Sequence, residues 1–180
     1  MRPLLILLIV CLLLPATTPV TALDGQPAPP LVAEAIRQRL FEAQMALVDE
    51  DRAAALEALG AADTLYHNSL DEPLRAALPA VGERIPALLI QAQEAVRNAN
   101  GPVFAATRAR LWTALLDASA QIVFAAVARE DISTAALWLP LREYRVSTRF
   151  SRPGADATLA LRALEGGRMG PEEALSLIHI

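Results

Sequence analysis

From Val32 onward an apolar residue returns every three or four positions. Val32, Ile36, Leu40, Ala43 and Leu47 form one stripe, while Glu34, Arg37, Gln38 and Glu42 take other faces. That period predicts an amphipathic helix beginning near Leu31. A second stripe of Ala55, Leu56, Leu59, Ala62 and Leu65 predicts a helix opened by Asp49-Glu50-Asp51 and closed at Asn68-Ser69. Asp71 is placed to cap a third, with Pro73 in its first turn. Pro79 and Pro86 should kink or restart it, because proline removes a backbone donor and clashes with the preceding turn. From Ala87 the pattern runs to Asn98, and Asn100-Gly101-Pro102 reads as a stop. A long helix from Val103 to Ala128 follows, with Phe104, Leu111, Leu115, Ile122 and Val123 among its apolar positions. Arg108, Arg110 and Asp117 interrupt it, so the pattern is that of a buried bundle helix and not of a membrane span.

Glu130-Asp131 breaks the period, and Asp131 or Ser133 caps a helix through Trp138 to Leu141, with Pro140 inside it. Arg152-Pro153-Gly154 is a turn, Asp156 caps Ala157 to Leu164, Gly166-Gly167 ends that piece, and Gly170-Pro171 opens another. No strand-like alternation occurs. The fold class expected is all-α, an up-and-down antiparallel helical bundle with short connections. A solenoid of helix pairs is the alternative, but no fixed-period repeat supports it.

The ends add an organisation. Met1-Arg2, the apolar run Leu4 to Leu14 and Val20-Thr21-Ala22 read as a cleavable signal peptide over residues 1–22. The run is short of the roughly 20 apolar residues a membrane span needs. Residues 23–30 are a Pro-rich linker, 31–148 the extracytoplasmic bundle, and 149–175 a turn-rich segment with short helices. The last five residues, Ser176 to Ile180, resemble translated sequencing-adaptor read-through. We read 176–180 as a non-native tail on a truncated chain, a natural apolar tail being the alternative. Cys11 lies in the leader, so the mature chain has no thiol chemistry and no disulfide framework.

Composition narrows the function classes. Of 180 residues 54% are hydrophobic and only 4% aromatic, so the core must be built largely of Ala and Leu. All 16 basic residues are Arg, and the net charge is −4, which gives no global field for nucleic acid. Arg142, Arg145, Arg149 and Arg152 recur at three- and four-residue steps and form a local positive stripe if the helix continues past Pro140. Guanidinium forks suit phosphate and carboxylate, so the stripe is a docking patch for lipid headgroups or an acidic domain face. A solvated face paired with the domain's own acids is the plain alternative. Among oxygen and nitrogen donors, Glu34, Glu42 and Asp49 can share a helical face, and Asp63 and His67 lie four apart. These are weak metal candidates, and a solvated acidic face is the ordinary explanation. Catalysis has no constellation: no nucleophile elbow, no mature Cys and one credible His to act as base. Trp112, Trp138, Phe104, Phe124 and Tyr144 sit at helical spacings and are most simply core anchors. The chain reads as non-enzymatic, with no cofactor of its own.

The segment Leu141-Arg142-Glu143-Tyr144-Arg145, with Thr148-Arg149-Phe150-Ser151-Arg152-Pro153-Gly154-Ala155-Asp156-Ala157-Thr158, carries a resemblance. From about Trp138 onward the chain resembles the bacterial oxidase-coupled high-affinity iron permeases, of the iron/lead transporter family, where an exported helical region joins the membrane domain. Before that point only the general form agrees. The resemblance implies the exported leading domain of an iron permease, with iron as the transported ion and the protein membrane-associated at full length. It implies as partners the chain's own membrane domain, lipid headgroups, or a periplasmic oxidase or electron-transfer protein. The Arg-Glu-Gly-x-Glu motifs that handle iron in that family do not occur here, so no transport residue carries over. A free-standing periplasmic interaction module is the alternative reading, and a bundle that binds iron directly is a third.

Overall fold

The structure, a computed structural model, describes residues 27–143 and 161–178. The expected leader, the first half of the linker (23–26) and the turn at Arg152-Pro153-Gly154 lie outside the described residues. So do Tyr144, Arg145, Arg149, Arg152 and the side chain of Arg142, which together make up the expected docking patch. The described residues are all-α, in seven named helices: α1 Pro29–Val48, α2 Arg52–Ser69, α3 Asp71–Ala77, α4 Pro79–Arg97, α5 Gly101–Ala128, α6 Ile132–Glu143 and α7 Pro171–Ile178. A further helical stretch covers 161–165. No strand occurs among the described residues.

Four helices close a ring. α1 packs on α2 and α5, and α4 packs on α5 and α2. α6 lies against α5 and α1, α7 against α5, and short α3 bridges α2 and α4. α5 is therefore the central element. By length and composition it is apolar enough to cross a membrane, at mean hydropathy 1.6, yet 56% of that window is buried inside the bundle. Its burial accounts for its composition. Ala33, Ala43, Ala55, Ala62, Ala92 and Ala118 are fully buried, which lets backbones approach closely around Phe104, Leu59, Ile36 and Leu40. The largest fully buried side chain is Tyr66, which the sequence pattern did not single out.

Three of the helix connections are one turn, used three times. α1, α4 and α5 each end on a left-handed residue that is not glycine: Glu50 at φ 62°, Ala99 at 49° and Glu130 at 58°. The next residue sends its N–H back five positions: Asp51 to the Ala46 carbonyl (2.8 Å), Asn100 to Ala95 (2.8 Å), Asp131 to Ala126 (2.9 Å). This Schellman closure satisfies the last carbonyls of each helix. The same Asp or Asn then caps the helix that follows. Asp51 Oδ1 accepts from the Ala54 N–H at 3.0 Å, Asn100 Oδ1 from Val103 at 3.2 Å and Asp131 Oδ1 from Thr134 at 3.1 Å. One residue thus ends one helix and starts the next, and the chain reverses direction each time.

Several boundaries depart from the sequence pattern, each for a physical reason. α1 starts two residues early because Pro29 and Pro30 occupy its first turn, where the missing N–H is an orphan anyway. Asp49-Glu50-Asp51 is the reversal before α2 and not its first turn. Asn100-Gly101-Pro102 opens α5; the stop for α4 lies at Asn98-Ala99. Asp71 is inside α3 and not its cap; Leu70 holds that position without a side-chain bond. Pro79 does restart the helix, but Pro86 does not: α4 runs through it to Arg97. Gly166-Gly167 ends the 161–165 stretch as expected, with Gly167 at φ 64°, and Pro171 opens α7.

Candidate functional site

The sequence-expected metal candidates separate into two groups. On α1, Glu34 and Glu42 are each turned toward an arginine. Arg37 Nε donates to Glu34 Oε2 at 2.8 Å, and its Nη2 donates to Oε1. Arg39 Nη1 donates to Glu42 Oε2 at 2.8 Å, and Gln38 Nε2 to Oε1 at 3.2 Å. The Arg37 bond holds Glu34 below the usual carboxylate range, and Gln38, then Arg39, do the same for Glu42. Asp49 sits past them at the end of α1, its N–H bonded to the Met45 carbonyl. These three acids serve local pairs and a helix end, not a shared ligand set.

At the α2–α3 junction, Asp63 and His67 do come together, with three residues the sequence pattern did not connect to them. His67 Nε2 lies 3.6 Å from Asp63 Oδ1, and its Nδ1 lies 3.3 Å from Asp71 Oδ2. Asp71 Oδ1 accepts from Arg75 at 2.8 Å and from the Tyr66 hydroxyl at 3.3 Å. Partial burial pushes the Asp71 carboxyl up, but the Arg75 and His67 hydrogen bonds outweigh it and hold it below its ordinary value. Burial foremost, then the Asp71 charge, raises Tyr66 and keeps the phenol protonated. The imidazole uses opposite nitrogens for its two acids, so the carboxylates flank it and do not converge on one point. Among the described residues no three His, Cys, Asp or Glu side chains stand together to hold a metal ion.

A different site lies between α1 and α5, and no single stretch of sequence could reveal it. Its cleft, about 310 Å³, is lined by Arg37 and Leu40 from α1 and by Arg108, Trp112, Thr113 and Leu115 from α5. The arginines cross over: the Arg37 guanidinium lies over the Trp112 ring, 5.9 Å from its centroid, and Arg108 lies over Phe41, also at 5.9 Å. Arg108 Nε is buried without a hydrogen-bond partner. Gln44 Oε1, one turn beyond Phe41 on α1, is likewise buried and unpartnered. Of the expected aromatic anchors, Phe104 and Trp138 are buried in the core, Trp112 and Phe124 only partly.

Among the described residues the fold is an all-helical bundle whose α1–α5 cleft is mostly apolar and carries two arginines. The model of the iron permease FTR1 N-terminal domain matches residues 26–179, and the chain belongs to that family. The match covers α1 to α7, well beyond the stretch from Trp138 on which the sequence resemblance rested. The family are permeases, transporters and not enzymes, and the chain is part of an iron permease. Neither a curated protein nor a solved structure matches the chain.

Proposed function

We propose that this chain is the extracytoplasmic leading domain of an iron permease, presenting iron to a membrane transport domain or docking a partner beside it. The observation that carries this is the family match across the whole bundle, residues 26–179. The apolar start, Leu4 to Leu14, supports export, and Arg142, Arg145, Arg149 and Arg152 put four positive charges into one short stretch of sequence, a composition suited to lipid headgroups or an acidic domain face. A periplasmic oxidase or electron-transfer protein is the partner class that the resemblance suggests. The bundle holds its shape through its own core and caps, so it can act as a rigid outer platform without chemistry of its own.

The test uses the full-length permease in cells. Removing α1 to α6 while keeping the leader and everything after Glu143 should lower iron uptake without lowering the amount of permease in the membrane. Uptake unchanged at equal membrane level would remove the presenting role. Protease added to intact spheroplasts should cut the bundle; protection there would place it on the wrong side.

A further inference from the structure

The α1–α5 cleft has the composition of an anion site with an organic interior. Two guanidiniums reach one cleft of about 310 Å³, at the small end of ligand pockets, on a protein whose net charge is −4. Glu34 offsets Arg37, so the pair of arginines and this acid leave one positive charge at the cleft. Arg108 supplies that charge, and its buried Nε lacks an acceptor. A buried donor without a partner is unfavourable, and a ligand oxygen arriving there removes the deficit. Leu40, Leu115 and Trp112 give the cleft apolar walls, and Thr113 is among its lining residues. Bare phosphate would leave those walls unused, and no glycine-rich loop is present to cradle it. A bare iron cation is repelled by the net positive charge of the cleft and finds no set of three protein ligands among the described residues.

We propose that this cleft binds a small polycarboxylate, with Arg108 and Arg37 taking the carboxylates and Trp112 covering the carbon skeleton. We infer further that the carboxylate arrives as a ferric chelate, so that iron is met as an anion; this second step rests on the function proposed above, whereas the first does not. The cleft is then the place where the domain holds its cargo.

The probes are citrate and ferric citrate, added to the full 180-residue chain. Trp112 is one of two tryptophans, and Trp138 is buried in the core, so ligand entry should change the emission of Trp112. Saturable binding is expected, weakened roughly tenfold or more in Arg108→Met, which keeps the apolar cover and removes the charge. Ala109→Glu is the second variant: Ala109 is an exposed position lining the cleft, so a carboxylate there should abolish binding with the fold intact. Helical circular dichroism and melting temperature report that both variants fold. Tighter binding of ferric citrate than of citrate supports both steps. Equal affinity supports the carboxylate site and overturns the chelate step. No saturable binding of either probe, or binding unchanged in Arg108→Met and Ala109→Glu, overturns the site. Loss of uptake on deleting the bundle, with no binding in the cleft, would leave the presenting role standing and this site refuted.

Discussion

Gly82 of α4 lies so close to Arg75 of α3 that a methyl group on it would sit 2.7 Å from the Arg75 Cα and 2.9 Å from its Cβ. The first of these contacts is with backbone, so it cannot be relieved by a side-chain rotation. Four residues later Pro86 has no N–H to give the Gly82 carbonyl, so α4 is one helical bond short where α3 docks. Gly82→Ala must therefore move α3, at a cost of about 1–3 kcal/mol from overpacking, partly offset by the better helix propensity of alanine. Gly60 of α2 has nothing within 4 Å of its missing Cβ, so Gly60→Ala should stabilise by up to about 1 kcal/mol. Urea midpoints at constant slope measure both. Equal shifts in the two variants would mean that the α3–α4 contact is not as close as described.

Ala99 holds a left-handed conformation, at φ 49°, with no side chain to compensate for it. A non-glycine residue there carries about 1–2 kcal/mol of steric strain. Ala99→Gly removes that strain and adds back unfolded-state freedom worth roughly 0.5–1 kcal/mol. The net expectation is a gain of about 0.5–1 kcal/mol, read as a higher melting temperature. Asn100→Ala, which deletes the cap on Val103, should instead lose about 1 kcal/mol. If Ala99→Gly melts lower than the parent, the Schellman turn does not carry the strain assigned to it.

The helices were legible because the chain marks them with Pro, Gly, Asn and Asp, and the apolar stripe of α1 alone predicted five positions that the core buries or packs against. The reversals were less so. Left-handed residues at helix ends are usually glycine, and here they are Glu50, Ala99 and Glu130, which look like ordinary helix formers. Asn100-Gly101-Pro102 carried the symbols of a stop and was a start, because an Asx cap serves both ends of this turn. Asp71 was read for its capping chemistry, and its link to Tyr66, His67 and Arg75 needed the helix geometry to bring i+4 and i+5 neighbours onto one face. The α1–α5 cleft was beyond reach of any local pattern. Arg37 and Trp112 meet only once the ring of four helices closes, and each on its own is a surface arginine or a core-like tryptophan.

Asp71 also fixes how stability should depend on acidity. Its folded carboxyl lies below the usual 3.8, through the hydrogen bonds of Arg75 and His67 against the opposing effect of burial. A depressed acid contributes stability that is present above its unfolded value and is lost as pH falls through the folded one. Glu34 and Asp131 are depressed as well, by Arg37 and by Thr134 with Ser133, and act with the same sign. Unfolding free energy should therefore be flat from about pH 7 to about pH 5 on account of these groups and fall below about pH 4. In Asp71→Asn the fall should be shallower. Urea titrations at stepped pH decide it: an equal acid slope in parent and Asp71→Asn would show that Asp71 is not held down in the fold.

Tyr66 offers the sharpest separation of packing from hydrogen bonding in this domain. Its side chain is buried, only 1% exposed, while its hydroxyl reaches Asp71 Oδ1 at 3.3 Å, a long bond to a charged acceptor. Tyr66→Phe keeps the ring and removes that bond, so about 0.5–1.5 kcal/mol should be lost. Tyr66→Ala removes the ring as well and opens a cavity between α2 and its neighbours, with a loss of about 3–5 kcal/mol. Asp71→Asn alone weakens the Arg75 and His67 contacts together with the tyrosine bond. In the double variant Tyr66→Phe with Asp71→Asn, the two losses should sum to less than their separate values, because both delete the same bond. Strict additivity would show that the hydroxyl and the carboxylate are neighbours without being partners, and Tyr66 would then be a core residue whose oxygen contributes nothing to the α2–α3 junction.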